Sequence, residues 1–318
     1  MDKASSGLAS ELSSFQKRNF LSSSDLTSSQ IFSLLELSKQ LKAEDRRIDL
    51  GNRVLGLIFK KASTRTRVSF QVAMARLGGQ TVDLNPQITQ LGRGETIRDT
   101  SRVLSRYCDV LAIRTFSQKE LEEYAEWSTI PVINALTDLE HPCQALADYL
   151  TIQEKIGRLK GINLSYIGDG NNVAHSLMIC GALLGVNVKI CSPNGFEADS
   201  KIVDKARSIS EFGSKISICN SPSEAVKDAQ VIYTDVWASM GQEEESIKRA
   251  KVFENYQINK KLMDLAGDEV IILHCLPAHR GEEITEEALE SKNSYVFDQA
   301  ENRLHVQQAL LAVQLGGL

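Results

Sequence analysis

No Cys-x-x-Cys pair occurs among the six cysteines, Cys108, Cys143, Cys180, Cys191, Cys219 and Cys275, and most stand in apolar stretches. That spacing excludes the usual cysteine zinc signatures, and free thiols packed as small hydrophobes point to a reducing, cytoplasmic setting. No apolar run approaches the roughly 20 residues that a bilayer-spanning helix needs. Positive charge is not in excess either. Lys and Arg total 36 against 41 Asp and Glu, a net charge of −5, so neither nucleic acid nor a membrane surface is an expected partner. An anion site in this chain must be a local positive pocket, which suits a small metabolite. The Ser-rich first stretch carries Asp2 and Glu11 and no apolar core, so neither a secretory signal nor a transit peptide is expected. Internal repeats, low-complexity tracts and a G-x-x-x-x-G-K-[ST] loop are also missing, and the last of these removes the sequence argument for ATP hydrolysis.

Against those absences stands one conspicuous stretch. The apolar run Val54 to Phe59 reads as a buried strand, followed by Lys60-Lys61-Ala62-Ser63-Thr64-Arg65-Thr66-Arg67 and then a helix with Val68, Val72, Ala75 and Leu77 at near-helical spacing. Ser63 is the expected N-cap. Free backbone N–H groups, the positive end of the helix dipole, hydroxyls and an Arg fork together favour a multiply charged oxyanion such as phosphate. An ordinary capped helix with a solvated basic first turn would read the same way.

The remaining chain alternates. Apolar runs at 81–84, 110–113 and 131–133 are separated by helical stretches around 96–107 and 118–127, with a polar loop at 85–95. A helix from His141 to about Gly157 links to a second alternating block, with strands expected at 163–167, 186–191, 215–219, 231–233 and 270–273. The expected fold is therefore α/β, with two doubly wound parallel-sheet domains joined by helices. The boundary is expected at 140/141, giving residues 1–140 and 141–318, with the last helix packing back on the first domain. Functional loops should leave the carboxyl ends of the strands, where Arg114, Asp235 and His274 stand.

Ser-Thr-Arg-Thr-Arg after a strand resembles the carbamoyl phosphate motif of the aspartate and ornithine carbamoyltransferases. Arg114, His141-Pro142-Cys143-Gln144, Asp235 to Gly241, His274-Cys275-Leu276-Pro277 and Ala300-Glu301-Asn302-Arg303 follow in that family's order. The likeness implies transfer of a carbamoyl group from carbamoyl phosphate to an amine. It also implies that Ser63, Thr64, Arg65, Thr66 and Arg67 bind the phosphate, with Arg114 and His141 on the anhydride and carbonyl oxygens. Gln144 would hold the carbamoyl amide, Leu276 would offer its carbonyl, and Arg303 would approach from the C-terminal segment. Homotrimers are implied too, with Gln90 reaching a neighbouring subunit's site. Catalytic roles fall to Arg65, Arg114, His141, Gln144, Cys275 and Arg303.

Asp235 with Ser239-Met240-Gly241 resembles the substrate loop of the ornithine-specific members, and an acidic strand end suits a cationic acceptor. Asn172, Asp235, Ser239, Met240 and Cys275 are then the ornithine-binding residues, and the product is citrulline, as in arginine biosynthesis. Putrescine or N-acetylornithine are alternative acceptors. Gly168-Asp169-Gly170 imitates a dinucleotide-binding turn, but the next strand ends Ile190-Cys191-Ser192-Pro193 with no acidic residue for a ribose, which weighs against an NAD-dependent oxidoreductase. His274, Cys275 and His279 fit no zinc signature. No metal and no cofactor are expected.

Overall fold

The computed structural model describes residues 3–85, 94–238 and 246–318. The chain divides into two compact units, Met1–Ala147 with Glu301–Leu318, and Asp148–Ala300. In the first unit the order is α1 (Lys3–Ser13), α2 (Ser28–Lys42), β1 (Val54–Phe59), α3 (Thr64–Arg76), β2 (Gln80–Leu84), α4 (Ile97–Leu104), β3 (Val110–Arg114), α5 (Gln118–Trp127), β4 (Val132–Leu136) and the start of α6 (Pro142–Ile156). The second runs β5 (Asn163–Ile167), α7 (Asn172–Leu184), β6 (Asn187–Cys191), α8 (Ser200–Ser208), β7 (Ile216–Cys219), α9 (Pro222–Val226), β8 (Val231–Thr234), α10 (Ser246–Phe253), α11 (Lys260–Ala266), β9 (Ile271–His274), α12 (Glu286–Leu289) and α13 (Val296–Gln314), which continues into the first unit.

Both sheets are parallel, in the orders β2-β1-β3-β4 and β7-β6-β5-β8-β9. Each strand pair needs a crossover, and apolar runs such as Leu55–Phe59 and Leu164–Ile167 are buried throughout because helices cover the sheets. Winding reverses between β1 and β3 in one unit and between β5 and β8 in the other. Those are the positions where loops at the carboxyl ends splay apart and leave room for a ligand.

Several local expectations change. The Ser-rich first stretch forms a helix, α1, and the segment after it buries Phe15 beside Phe20, their rings edge-on at 6.1 Å. Ser63 does stand at the N-cap of α3 with extended backbone, but its side chain makes no capping hydrogen bond. Val68 and Val72 point outward, 49% and 37% exposed, while Thr66, Phe70, Ala73, Met74 and Leu77 are buried. Of the expected stripe only Leu77 is buried; Val68, Val72 and Ala75 lie about half a turn from the face the sheet covers. Gln90, Ser239 and Met240, like most of the expected 85–95 loop, lie outside the described residues.

One glycine is fixed by close approach. A Cβ on Gly170 would lie 2.1 Å from the Ala198 nitrogen and 2.4 Å from the Glu197 carbonyl carbon, and its N–H already donates to the Phe196 carbonyl at 2.9 Å. Protein backbone thus occupies the space that a dinucleotide turn reserves for a pyrophosphate. Gly170→Ala should destabilise the fold by about 1–3 kcal/mol, the usual range for overpacking, read as a lowered denaturant midpoint.

Candidate active site

At the first winding reversal, β1 hands the chain to α3 and β3 ends on Arg114, which is paired in register with Phe59. The Lys60 N–H donates to the Arg114 carbonyl at 2.9 Å, so the two strand ends remain locked past the sheet. A register shift between Ile113 and Arg114 against β4 re-aims the arginine, as bulges beside functional sites do. Thr64 and Arg65 are exposed in the first turn of α3, Ser63 is half-buried, and Thr66 is buried. Arg67 is turned to the side, ion-paired to Asp83 at 3.1 Å and stacked on the Phe59 ring at 5.1 Å.

Arg303, on α13 and only 6% exposed, gathers three of the expected residues. It donates to Gln144 Oε1 at 2.5 Å and to Thr66 Oγ1 at 3.2 Å, and lies 3.4 Å from His141 Nε2. Donation from a guanidinium requires Nε2 to be the acceptor, which leaves the ring proton on Nδ1. Burial, followed by the charges of Arg303 and Arg114, holds His141 well below the usual histidine range, so its ring is neutral at physiological pH. Burial likewise raises the neighbouring Cys143 thiol to about 12.

The second reversal carries the opposite charge. Asp235, 7% exposed, follows β8. Its Oδ1 accepts from the Val236 N–H at 2.8 Å and the Cys275 thiol at 3.0 Å, and its Oδ2 accepts from Asn171 Nδ2 at 2.8 Å. Asn171 caps α7 through its Oδ1, so Asn172 is the first residue of that helix. His274 ends β9; its Nδ1 accepts from the Leu276 N–H at 2.8 Å, and its Nε2 lies 3.0 Å from Glu283. Leu276 is thereby held at φ +57°, a left-handed conformation that few leucines adopt.

Among the described residues, two groups could gather ligand atoms for a metal ion: Asp235 with His274 and Cys275, and His279 with Glu282 and Glu283. In the first, both His274 ring nitrogens and both Asp235 oxygens already have protein partners, which a metal would have to displace.

Three groups here are absent from the sequence-based set. Asn171 could have been found, because an Asn immediately before a helix is a strong N-cap signal. Arg249 could not. It donates to Asp169 Oδ2 and to the Trp237 carbonyl, each at 2.8 Å, and joins the turn after β5 to the end of β8. Burial raises the Asp169 carboxyl while Arg249 opposes that rise. The third, Glu140, braces the turn before His141 through Ser22 and Ser23.

Two parallel-sheet units with an anion cradle at one switch point and a carboxylate at the other match known proteins closely. The chain belongs to the aspartate/ornithine carbamoyltransferase family: residues 18–154 match its carbamoyl-P binding domain and residues 160–314 its Asp/Orn binding domain. A protein of Prochlorococcus marinus, named ornithine carbamoyltransferase, is 66% identical over 318 residues, covering 100% of both chains. A likewise named protein of Parasynechococcus marenigrum is 63% identical over the same span. Among solved structures, ornithine carbamoyltransferase from Pyrococcus furiosus superposes with a TM-score of 0.92 at 51% identity, covering 96% of this chain and 99% of that one.

The neutral His141 has a measurable consequence. An unfolded chain takes up a proton on this residue near pH 6.5, whereas the folded site resists it, so acidification below that point favours unfolding. His305, also lowered by burial despite Glu301 beside it, acts in the same direction. Unfolding free energy should therefore fall between pH 7 and pH 5.5 by up to ~1.4 kcal/mol per pH unit for each such histidine. In His141→Gln that slope should be shallower, as measured by urea titration at the two pH values.

Proposed function

We propose that the chain transfers the carbamoyl group of carbamoyl phosphate to the δ-amine of L-ornithine, giving L-citrulline and phosphate. The observation that carries this reading is the convergence of Arg303 on Thr66, Gln144 and His141, up to 237 positions away in sequence, beside the N-terminus of α3. Family membership and relatives of that name support it across the whole chain.

Arg65 and the first turn of α3 hold the phosphate dianion, with Ser63, Thr64, Thr66 and Arg67 around them. Arg114 and His141 serve the anhydride and carbonyl oxygens. A neutral imidazole keeps one N–H with which to stabilise a developing oxyanion. Gln144 and the Leu276 carbonyl orient the carbamoyl amide. Asp235 takes the α-ammonium of ornithine, with Asn172, Cys275 and the segment bearing Ser239 and Met240 completing that half. The δ-amine attacks the carbonyl carbon, a tetrahedral adduct forms, and the C–O bond to phosphate breaks. Phosphate leaves and accepts the amine proton. A free alkyl amine titrates near ~10.4, and nearby arginines favour its neutral, nucleophilic form. No metal or cofactor takes part, and Cys275 acts without forming a covalent intermediate.

The reaction is proposed to serve arginine biosynthesis in the cytoplasm. The six cysteines are free thiols, and no described helix is long and apolar enough to cross a membrane. Assembly as a homotrimer, with Gln90 serving a neighbour's site, is part of the proposal, and Val68 and Val72 on α3 and Val82 on the edge strand β2 are exposed apolar residues of the kind that interfaces cover.

Two variants test the halves separately. Arg65→Ala should lose carbamoyl phosphate binding and turnover together while the melting temperature holds, because ground state and developing charge both need that cation. Normal carbamoyl phosphate affinity in this variant would refute the anion site. Asp235→Asn keeps shape and removes charge; neutralising one member of a buried pair costs ~2–5 kcal/mol. Ornithine should then bind at least about tenfold more weakly while carbamoyl phosphate affinity holds. A citrulline assay with ornithine, putrescine, N-acetylornithine and aspartate as competing acceptors decides the substrate, and product from aspartate rather than ornithine would overturn the reading.

A further inference from the structure

Glu140 is a carboxylate with 1% exposure, one residue before His141, and neither the family motifs nor the reaction gives it a task. Its Oε1 accepts the Ser22 hydroxyl at 2.5 Å and its Oε2 accepts the Ser23 N–H at 2.9 Å, partners 118 and 117 positions away. Burying a carboxylate is costly unless strong donors replace its water, so two charge-assisted bonds at this point need a physical reason.

The surroundings supply one. Residues 19–23 run beside β4: the Phe20 N–H donates to the Val132 carbonyl at 2.8 Å, the Asn134 N–H donates to the Phe20 carbonyl at 2.8 Å, and Asn134 Nδ2 donates to the Leu21 carbonyl at 2.9 Å. A capping box between Ser22 and Asp25 then ends this segment in a rigid turn. On the other side, the chain leaves β4 through a turn closed by Thr137 and Glu140. The Thr137 N–H donates to the Glu140 carbonyl at 3.0 Å, and the Glu140 N–H donates back to Thr137 Oγ1 at 3.2 Å. The next residue, His141, opens α6, its carbonyl accepting from the Gln144 and Ala145 N–H groups at 3.0 and 3.2 Å. The His141 backbone is thus gripped on one side by the helix it starts and on the other by the Glu140 turn. The turn is tied through the carboxylate to a segment that the sheet holds still.

We infer that Glu140 is a positioning residue: its clasp on Ser22 and Ser23 fixes the turn that presents His141, and with it the aim of the imidazole. The inference rests on the carbamoyl-transfer reading for its kinetic consequence, while its geometric consequence is independent of that reading. The charged groups acting on the ring are Arg303 from α13 and Arg114 from β3. Neither of these changes in the variants below.

The test is a graded series. Ser22→Ala removes the hydroxyl bond, Glu140→Gln keeps shape but sets an amide against donors, and Glu140→Ala removes the clasp. Misplacing a catalytic group by about an ångström can cost ~100-fold, so kcat should fall in that order, by about tenfold or more in Glu140→Ala, while KM for ornithine stays within about twofold. The His141 ring, followed by NMR titration of labelled protein, should become protonated at higher pH across the series as the turn loosens and water enters. A purely structural role would lower the melting temperature and leave both kcat and the ring titration of folded protein at parental values, and that result would overturn the inference. If Glu140→Ala does not fold, Ser22→Ala, which retains the carboxylate, carries the same comparison. A parent chain that makes no citrulline would sink the reaction assignment alone, and the ring titration would still decide the clasp.

Discussion

The constraint on which both half-sites depend is the reversal of winding in a parallel sheet. When successive crossovers run first to one side of a central strand and then to the other, the loops at that strand's carboxyl end and its new neighbour's must part. Here the central strands are β1 and β5, with new neighbours β3 and β8. The cationic set, the α3 N-terminus and Arg114, leaves the first gap; Asn171, Asn172 and Asp235 leave the second. Local sequence chemistry then only has to supply opposite charges at two geometrically equivalent openings.

The positive opening is harder to hold, because basic side chains at a helix N-terminus work against its dipole. The chain spreads this cost over neutral acceptors. Arg303 donates to Gln144, to Thr66 and toward the unprotonated face of His141, and none of these three carries a charge that would neutralise it. Hydrogen bonds to neutral acceptors fix a buried guanidinium geometrically without themselves cancelling its charge, as a carboxylate in their place would. Arg67 shows the contrast: paired to Asp83 and stacked on Phe59, it contributes more to joining α3 with β1 and β2 than to the cradle.

Legibility in the sequence followed the range of the interactions involved. Helix Gln118–Trp127 and strand Asn163–Ile167 were readable to the residue, since an amphipathic stripe and a short apolar run bounded by polar turns are local signals. Arg114, Asp235 and His274 were placed near strand ends for the same reason, although β8 closes on Thr234 and β9 includes His274. The Ser-rich helix Lys3–Ser13 offered no such pattern; its end is anchored by Leu12, buried through packing that periodicity does not encode. In α3 the valines suggested the wrong face, because apolar residues at helical spacing give the same signal whether they are buried or, like Val68 and Val72, exposed. Bonds such as Glu140 to Ser22, or Arg249 to Asp169 across 80 positions, leave no local trace, since a lone Glu or Arg in a polar stretch is ordinarily a solvated one.

Leu276 stands in the left-handed region of backbone space. A leucine at φ +57° costs of order 1–3 kcal/mol of backbone strain unless its surroundings impose it. The imposition comes from His274, whose Nδ1 accepts the Leu276 N–H and whose Nε2 meets the fully buried Glu283. Accepting at Nδ1 puts the ring proton on Nε2, the nitrogen facing the carboxylate, so the tautomer is set by the same bond that bends the chain. The Glu283 Oε1 also accepts the His279 N–H at 2.7 Å, and its own carbonyl is held by the Ile258 N–H at 2.8 Å, so the carboxylate is itself anchored. Strain at Leu276 is therefore balanced by a chain of buried hydrogen bonds that ends in a neighbouring segment of the same unit. A substitution anywhere along that chain should be felt at the Leu276 carbonyl before it is felt in the core.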